Sequence, residues 1–127
     1  MSGPKTILIA DDEETVRSLV KRLLGKTYKV LEADNGEEAV KVAVNQKPDL
    51  ILMDILMPKM DGLTACYAIK RNQATKEIPV VMLTAVDYEL NRKLSQDVMG
   101  AQDYITKPFN SEALMSMIAK CLNDKAS

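Results

Sequence analysis

Histidine is absent from the chain, and cysteine occurs only twice. The first absence excludes imidazole general-base catalysis and histidine-ligated metal centres. Any metal bound here must be a hard cation held by oxygen. Two isolated cysteines, Cys66 and Cys121, both inside helical patterns, read as small core residues rather than a disulfide framework. No uninterrupted apolar run approaches ~20 residues, so no membrane span is expected. The start, Met1 to Thr6, lacks the apolar stretch of a secretory signal, and a cytoplasmic location follows. Neither sign of charge is in excess: 17 Lys+Arg face 18 Asp+Glu, for a net charge of -1. That balance gives no global electrostatic reason to expect direct contact with nucleic acid or an anionic membrane.

The remaining composition, 46% hydrophobic and 28% charged in 127 residues, is that of a globular chain long enough for one proper core. Within it, four short apolar runs each stop at a chemically capable residue. Ile7 to Ala10 stops at Asp11 and Asp12, and Leu50 to Met53 stops at Asp54. Val80 to Leu83 stops at Thr84, and Tyr104 to Thr106 stops at Lys107 and Pro108. Continuous apolar runs of this length suit parallel strands buried on both faces, and open α/β sheets bind ligands at the carboxyl ends of their strands. Three acids, a hydroxyl and an ammonium are thereby expected at one edge of one sheet.

Helical patterns alternate with these runs. Val16, Leu19, Val20, Leu23 and Leu24 form the first,. A more polar strand, Tyr28 to Ala33, is expected nearer a sheet edge. Asn35 with Glu38 reads as a capping box for a helix carrying Ala39, Val40, Ala43 and Val44, ending before Pro48,. The third strand should span Asp49 to Asp54, and Pro58 with Asp61-Gly62 marks a loop,. The next helix, about Leu63 to Asn72, is expected to turn Leu63, Cys66, Tyr67 and Lys70 to one side. Pro79 precedes the fourth strand. A weaker helix follows with Leu90, Leu94 and Val98, before Gly100 at its C-terminal end,. The last helix, Ser111 to about Asn123, has Asn110 to cap it and Leu114, Met117, Ile118, Cys121 and Leu122 on one face,. Five strands alternating with five helices give an α/β, doubly wound, five-stranded parallel sheet with helices on both faces. With no linker, repeat or low-complexity segment, residues 1–127 read as one domain with a core of about 5–123.

This ordered set resembles the receiver domain of two-component response regulators over nearly the whole chain, most closely in form the single-domain chemotaxis regulators. Asp11-Asp12 is similar to the family's acidic pair, and Asp54 to its phosphoacceptor. Met57-Pro58 with Asp61-Gly62 resembles the loop after that aspartate, shaped by Pro58 and Gly62. Thr84-Ala85, Tyr104 and Lys107-Pro108-Phe109 resemble the switch threonine with its small neighbour, the switch aromatic and the signature ending. The resemblance implies the flavodoxin-like strand order 2-1-3-4-5. It also implies Mg²⁺, with Mn²⁺ able to substitute, on Asp12, Asp54 and the backbone carbonyl of Leu56, and on Asp11 through water.

Asp54 would then attack phosphorus while Mg²⁺ and Lys107 neutralise charge on either side. Thr84 would donate its hydroxyl to the bound group, Ala85 would leave room for a donor, and Pro108 would shape the Lys107 peptide through a cis bond. Phosphorylation would draw Thr84 inward, let Tyr104 fill the space it leaves, and alter the face of the fourth helix, fifth strand and fifth helix. The implied donor is a sensor histidine kinase or phosphotransfer protein, and the implied reader is a downstream protein target. No output domain is expected in this chain, and both a monomer and a phosphorylation-dependent dimer stay open. The chain would catalyse only its own phosphorylation and dephosphorylation.

Taken singly, these residues have plainer readings. Glu13 and Glu14 decorate a helix N-terminus, the methionines fill core and loops, and Lys70-Arg71 lies on a solvated face. Apolar Leu56 and Val86, flanking the site, are expected to hinder the water that would hydrolyse an aspartyl phosphate. Competing classes fit less well. A haloacid-dehalogenase-type phosphatase places Asp-x-Asp after its first strand and needs room for a cap. A flavodoxin-type carrier needs a phosphate-binding loop where this chain has acids.

Overall fold

The computed structural model describes residues 3–84 and 100–126, without the side chains of 84 and 124–126. Five parallel strands, β1 (Thr6–Ala10), β2 (Lys29–Ala33), β3 (Leu50–Asp54), β4 (Val80–Thr84) and β5 (Asp103–Thr106), form one sheet. Their order is β2-β1-β3-β4-β5. Helices α1 (Glu14–Leu24), α2 (Gly36–Gln46), α3 (Gly62–Arg71) and the C-terminal α4 (Ser111–Ala126) pack on its two faces. The expected helix through Leu90, Leu94 and Val98 lies outside the described residues, as do Ala85 and Val86.

Alternation along the strands sorts the core into two layers. Leu8, Ala10, Ile51, Met53, Val80 and Met82 join Ala39, Ala43, Ala65, Cys66 and Ile69 beneath α2 and α3. Ile7, Ile9, Leu50, Leu52, Val81, Leu83 and Ile105 join Val20, Leu24, Leu114, Ile118 and Cys121 beneath α1 and α4. Cys66 and Cys121 therefore lie on opposite faces of the sheet. All five residues of β3 are buried, as a strand covered on both faces must be, whereas edge strand β2 is buried only at Ala33. Among the described residues no helix is long and apolar enough to cross a membrane.

The register brings the strand ends level. Ala10 pairs with Ala33 and Met53, Asp54 with Leu83, and Thr84 with Thr106. Caps then fix where each helix leaves that edge. The Asn35 side chain accepts from the Glu38 N–H at 2.9 Å. The Glu38 carboxylate reaches one residue farther out than a standard capping box, accepting from the Asp34 N–H at 2.9 Å. Asp61 caps α3 through the Thr64 N–H at 2.7 Å, and Asn110 caps α4 through the Ala113 N–H at 2.7 Å. Lys47, at φ 47°, ends α2, and Gly100 holds φ +83°.

Two expectations fail in and around α3. Its buried face is Gly62, Ala65, Cys66 and Ile69, while Tyr67 is exposed and stacks under Arg71 at 5.2 Å. An aromatic ring needs more room than the small-residue seam against α2 and the sheet allows, so it turns outward. Lys70 is not on a solvated face either. Its ammonium donates to the carbonyls of Lys76 and Ile78, tying down the loop that leads into β4.

Candidate functional site

Because β1 ends at Ala10, Asp11 and Asp12 follow outside the pleat and both reach the carboxyl edge. There Asp11, Asp12 and Asp54 bring one carboxylate oxygen each within 4.8 Å of one another. Asp11 is fully buried, Asp54 is 8% exposed and Asp12 is exposed. Lys107, just past β5, crosses to this cluster. Its ammonium donates to Asp11 Oδ2 at 2.8 Å and lies 3.5 Å from Asp54 Oδ1 and 3.8 Å from Glu13 Oε1. Glu13 thus faces the site as well as the start of α1, a proximity that its sequence position does not reveal.

Burial, followed by the neighbouring charge of Asp11, raises the Asp54 carboxyl from 3.8 to about 6 against the pull of Lys107,. Burial draws the Lys107 ammonium downward, but its hydrogen bond to Asp11 and the charges of Asp54, Asp11 and Glu13 leave it above its ordinary value. Among the described residues, the pocket therefore holds more negative charge than Lys107 comfortably balances. Three carboxylates with no imidazole or thiolate among them form a donor set for a hard divalent cation. The oxygens of Asp11 are already engaged, Oδ1 by the Glu13 N–H at 2.9 Å and Oδ2 by Lys107. Asp12 and Asp54 are the more available of the three carboxylates.

Two glycines hold the surrounding backbone close. A Cβ on Gly62 would lie 1.9 Å from the Asp54 carbonyl oxygen, and one on Gly36 would lie 2.2 Å from that of Met60. The Gly62 N–H donates to the Ile55 carbonyl at 2.7 Å, and the Gly36 N–H to that of Met60 at 3.0 Å. The loop after Asp54 is thereby clamped from both ends. Leu56 projects from it 77% exposed, and Pro58 is exposed between them. The Lys107-Pro108 peptide is cis. Tyr104 is half-buried against the layer under α2 and α3, beside Met82 in register. Thr84 ends β4 level with Thr106.

Sequence reasoning did not single out Arg17. From the second turn of α1 its guanidinium donates to the Asp11 carbonyl at 2.7 Å and to Glu32 on β2 at 3.0 Å. Lys21 contacts the other Glu32 oxygen at 3.0 Å, and that hydrogen bond, with help from Arg17, lowers the Glu32 pKa. The i, i+4 spacing of Arg17 and Lys21 opposite one strand glutamate was the available signal.

Comparison with known proteins agrees with this geometry. The response regulator receiver domain family matches residues 7–119. The phosphate regulon transcriptional regulatory protein PhoB of Pseudomonas aeruginosa is 42% identical over 93% of this chain and 52% of its own length. The chain spans about half the length of the curated relatives it matches in this way. Among solved structures, a response regulator from Chloroflexus aurantiacus superposes with a TM-score of 0.90 at 34% identity, over 95% of this chain and 99% of its own. The receiver domain of the sensor histidine kinase PA1611 from P. aeruginosa, described with a magnesium ion coordinated in its active-site cleft, gives a TM-score of 0.87 at 28% identity, over 95% of this chain and 99% of its own. With the fold, the level strand ends and the acidic cluster in agreement, the chain belongs to the receiver domains of two-component signal transduction.

Proposed function

We propose that the chain is a phosphoacceptor switch in which Asp54 takes a phosphoryl group from a sensor histidine kinase or phosphotransfer protein and passes the signal to a protein target. The observation that carries this reading is the convergence of Lys107 with Asp11 and Asp54 at the cluster, at 2.8 and 3.5 Å. Asp12 and Asp54, with the Leu56 carbonyl and Asp11 through water, would hold Mg²⁺ or Mn²⁺. When bound, that cation supplies positive charge to the phosphoryl oxygens. Asp54 attacks phosphorus, forming the acyl phosphate bond as the donor's bond to phosphorus breaks. Lys107, already charged and in place, meets an oxygen of the arriving group. The Thr84 hydroxyl donates to another, and Ala85 admits the donor. The bound group carries nearly two negative charges, enough to bias a two-state element made of Thr84, Tyr104 and the surface around β5 and α4. Such a switch acts on its own carboxylate, in the cytoplasm, and not on a released substrate.

Intact mass after incubation with acetyl phosphate tests the proposal. One phosphoryl group should be gained with Mg²⁺, none with chelator, and none by Asp54→Asn. Equal modification of Asp54→Asn would refute the assignment.

A further inference from the structure

Every polar atom of Asp11 has a partner, although the residue lies beyond the end of its strand. Its N–H continues the ladder to the Ala33 carbonyl at 3.0 Å. Its carboxylate oxygens take the Glu13 N–H and the Lys107 ammonium. Its carbonyl, where the chain leaves the sheet for α1, takes the Arg17 guanidinium at 2.7 Å. Arg17 is itself oriented, because Glu32 on β2 accepts from its Nε at 3.0 Å and Lys21 holds the other Glu32 oxygen. Only 16% of the Arg17 side chain is exposed, so water does not readily take over these bonds.

We propose that Arg17 is a positioning residue for the cation site. By holding the Asp11 carbonyl it fixes the plane of the Asp11–Asp12 peptide, and with it the direction from which the Asp12 carboxylate enters the cluster. Asp12 needs this help most. It is exposed, whereas Asp54 is held within a fully buried strand. A guanidinium suits the task because its fork can bond the carbonyl and Glu32 at once, which a lysine ammonium on a flexible stem cannot do in fixed geometry. This inference rests on reading the acidic cluster as a cation site.

The sign of the effect separates positioning from simple electrostatics. A positive charge near a cation site repels the cation, so a purely electrostatic Arg17 would weaken binding and its removal would strengthen it. A positioning Arg17 gives the opposite result. Mn²⁺ affinity, read from the electron paramagnetic resonance of the free ion, should fall about tenfold in Arg17→Gln. Arg17→Lys should fall as far despite keeping its charge, and Glu32→Gln should fall less. Unchanged or tighter binding by a folded Arg17→Gln would overturn the proposal. If Arg17→Gln does not fold, the charge-conserving Arg17→Lys decides, and wild-type affinity in that variant would overturn it.

A second readout needs no metal. In ¹⁵N-labelled, chelator-treated protein the Asp12 amide signal should move in Arg17→Gln while that of Ile105 stays, and an unmoved Asp12 signal would overturn the proposal. Failure of the wild type to bind Mn²⁺ would instead overturn the cation reading itself, and this inference with it.

Discussion

Replacing Asp54 by asparagine should make the metal-free fold more stable at neutral pH, by an amount that acid removes. Asp54 is buried beside Asp11, and its carboxyl titrates at about 6 rather than 3.8. The native protein therefore holds this proton more tightly than the unfolded chain does. Below 3.8 both states are protonated and there is no penalty; it grows between 3.8 and about 6 and is complete above that,. At about 1.4 kcal/mol for each tenfold change in an ionisation constant, ionised Asp54 weakens the fold by about 3 kcal/mol at neutral pH. The attraction of Lys107 is already contained in that figure, since it opposes the rise. Asparagine keeps the shape of the protonated acid and cannot ionise. Urea unfolding in excess chelator, followed by circular dichroism at about pH 4 and about pH 7.5, measures the difference. Because the unfolded chain is already partly ionised at pH 4, the advantage of Asp54→Asn should be about 2.5 kcal/mol larger at the higher pH,. An advantage equal at both pH values, or a variant less stable than wild type at neutral pH, would refute the reasoning.

Gly62→Ala should lower stability by about 1–3 kcal/mol or more, because its methyl would sit 1.9 Å from the Asp54 carbonyl,. Its urea midpoint should fall together with its Mn²⁺ affinity, and an unchanged midpoint would show that the loop yields freely. On the reading that the exposed side chain of Leu56 hinders the hydrolytic water, Leu56→Asn should speed loss of the phosphoryl group. A time course of intact mass gives the rate, and no acceleration would sink the shielding idea. Asn35→Ala removes the acceptor of the Glu38 N–H and should cost about 1 kcal/mol, read as a lower thermal midpoint.

The strand ends were legible because burial on both faces leaves continuous apolar runs, and a charged or hydroxyl residue cannot extend them without a partner. Asp11, Asp54 and Lys107 were thus placed correctly before any distance was known. What the pattern could not supply was facing. Periodicity treats Tyr67 and Ile69 alike as apolar, yet only the slimmer residue fits the seam of Gly62, Ala65 and Cys66. Nor does composition separate a lysine in water from one that bonds loop carbonyls, so Lys70 was misread. Arg17 escaped notice because its partner on Asp11 is a main-chain oxygen, which every residue possesses and no motif encodes.

The bond between Asp11 and Lys107 joins residues 96 apart in the chain. All three carboxylates are in hand once the chain has been made as far as Asp54, while the lysine arrives some fifty residues later. During synthesis, then, all three carboxylates are made before the ammonium that pairs with Asp11 and Asp54. Completion of the Asp11–Lys107 contact therefore requires β5 to have docked, so the acidic cluster meets its ammonium only when the last strand is in place.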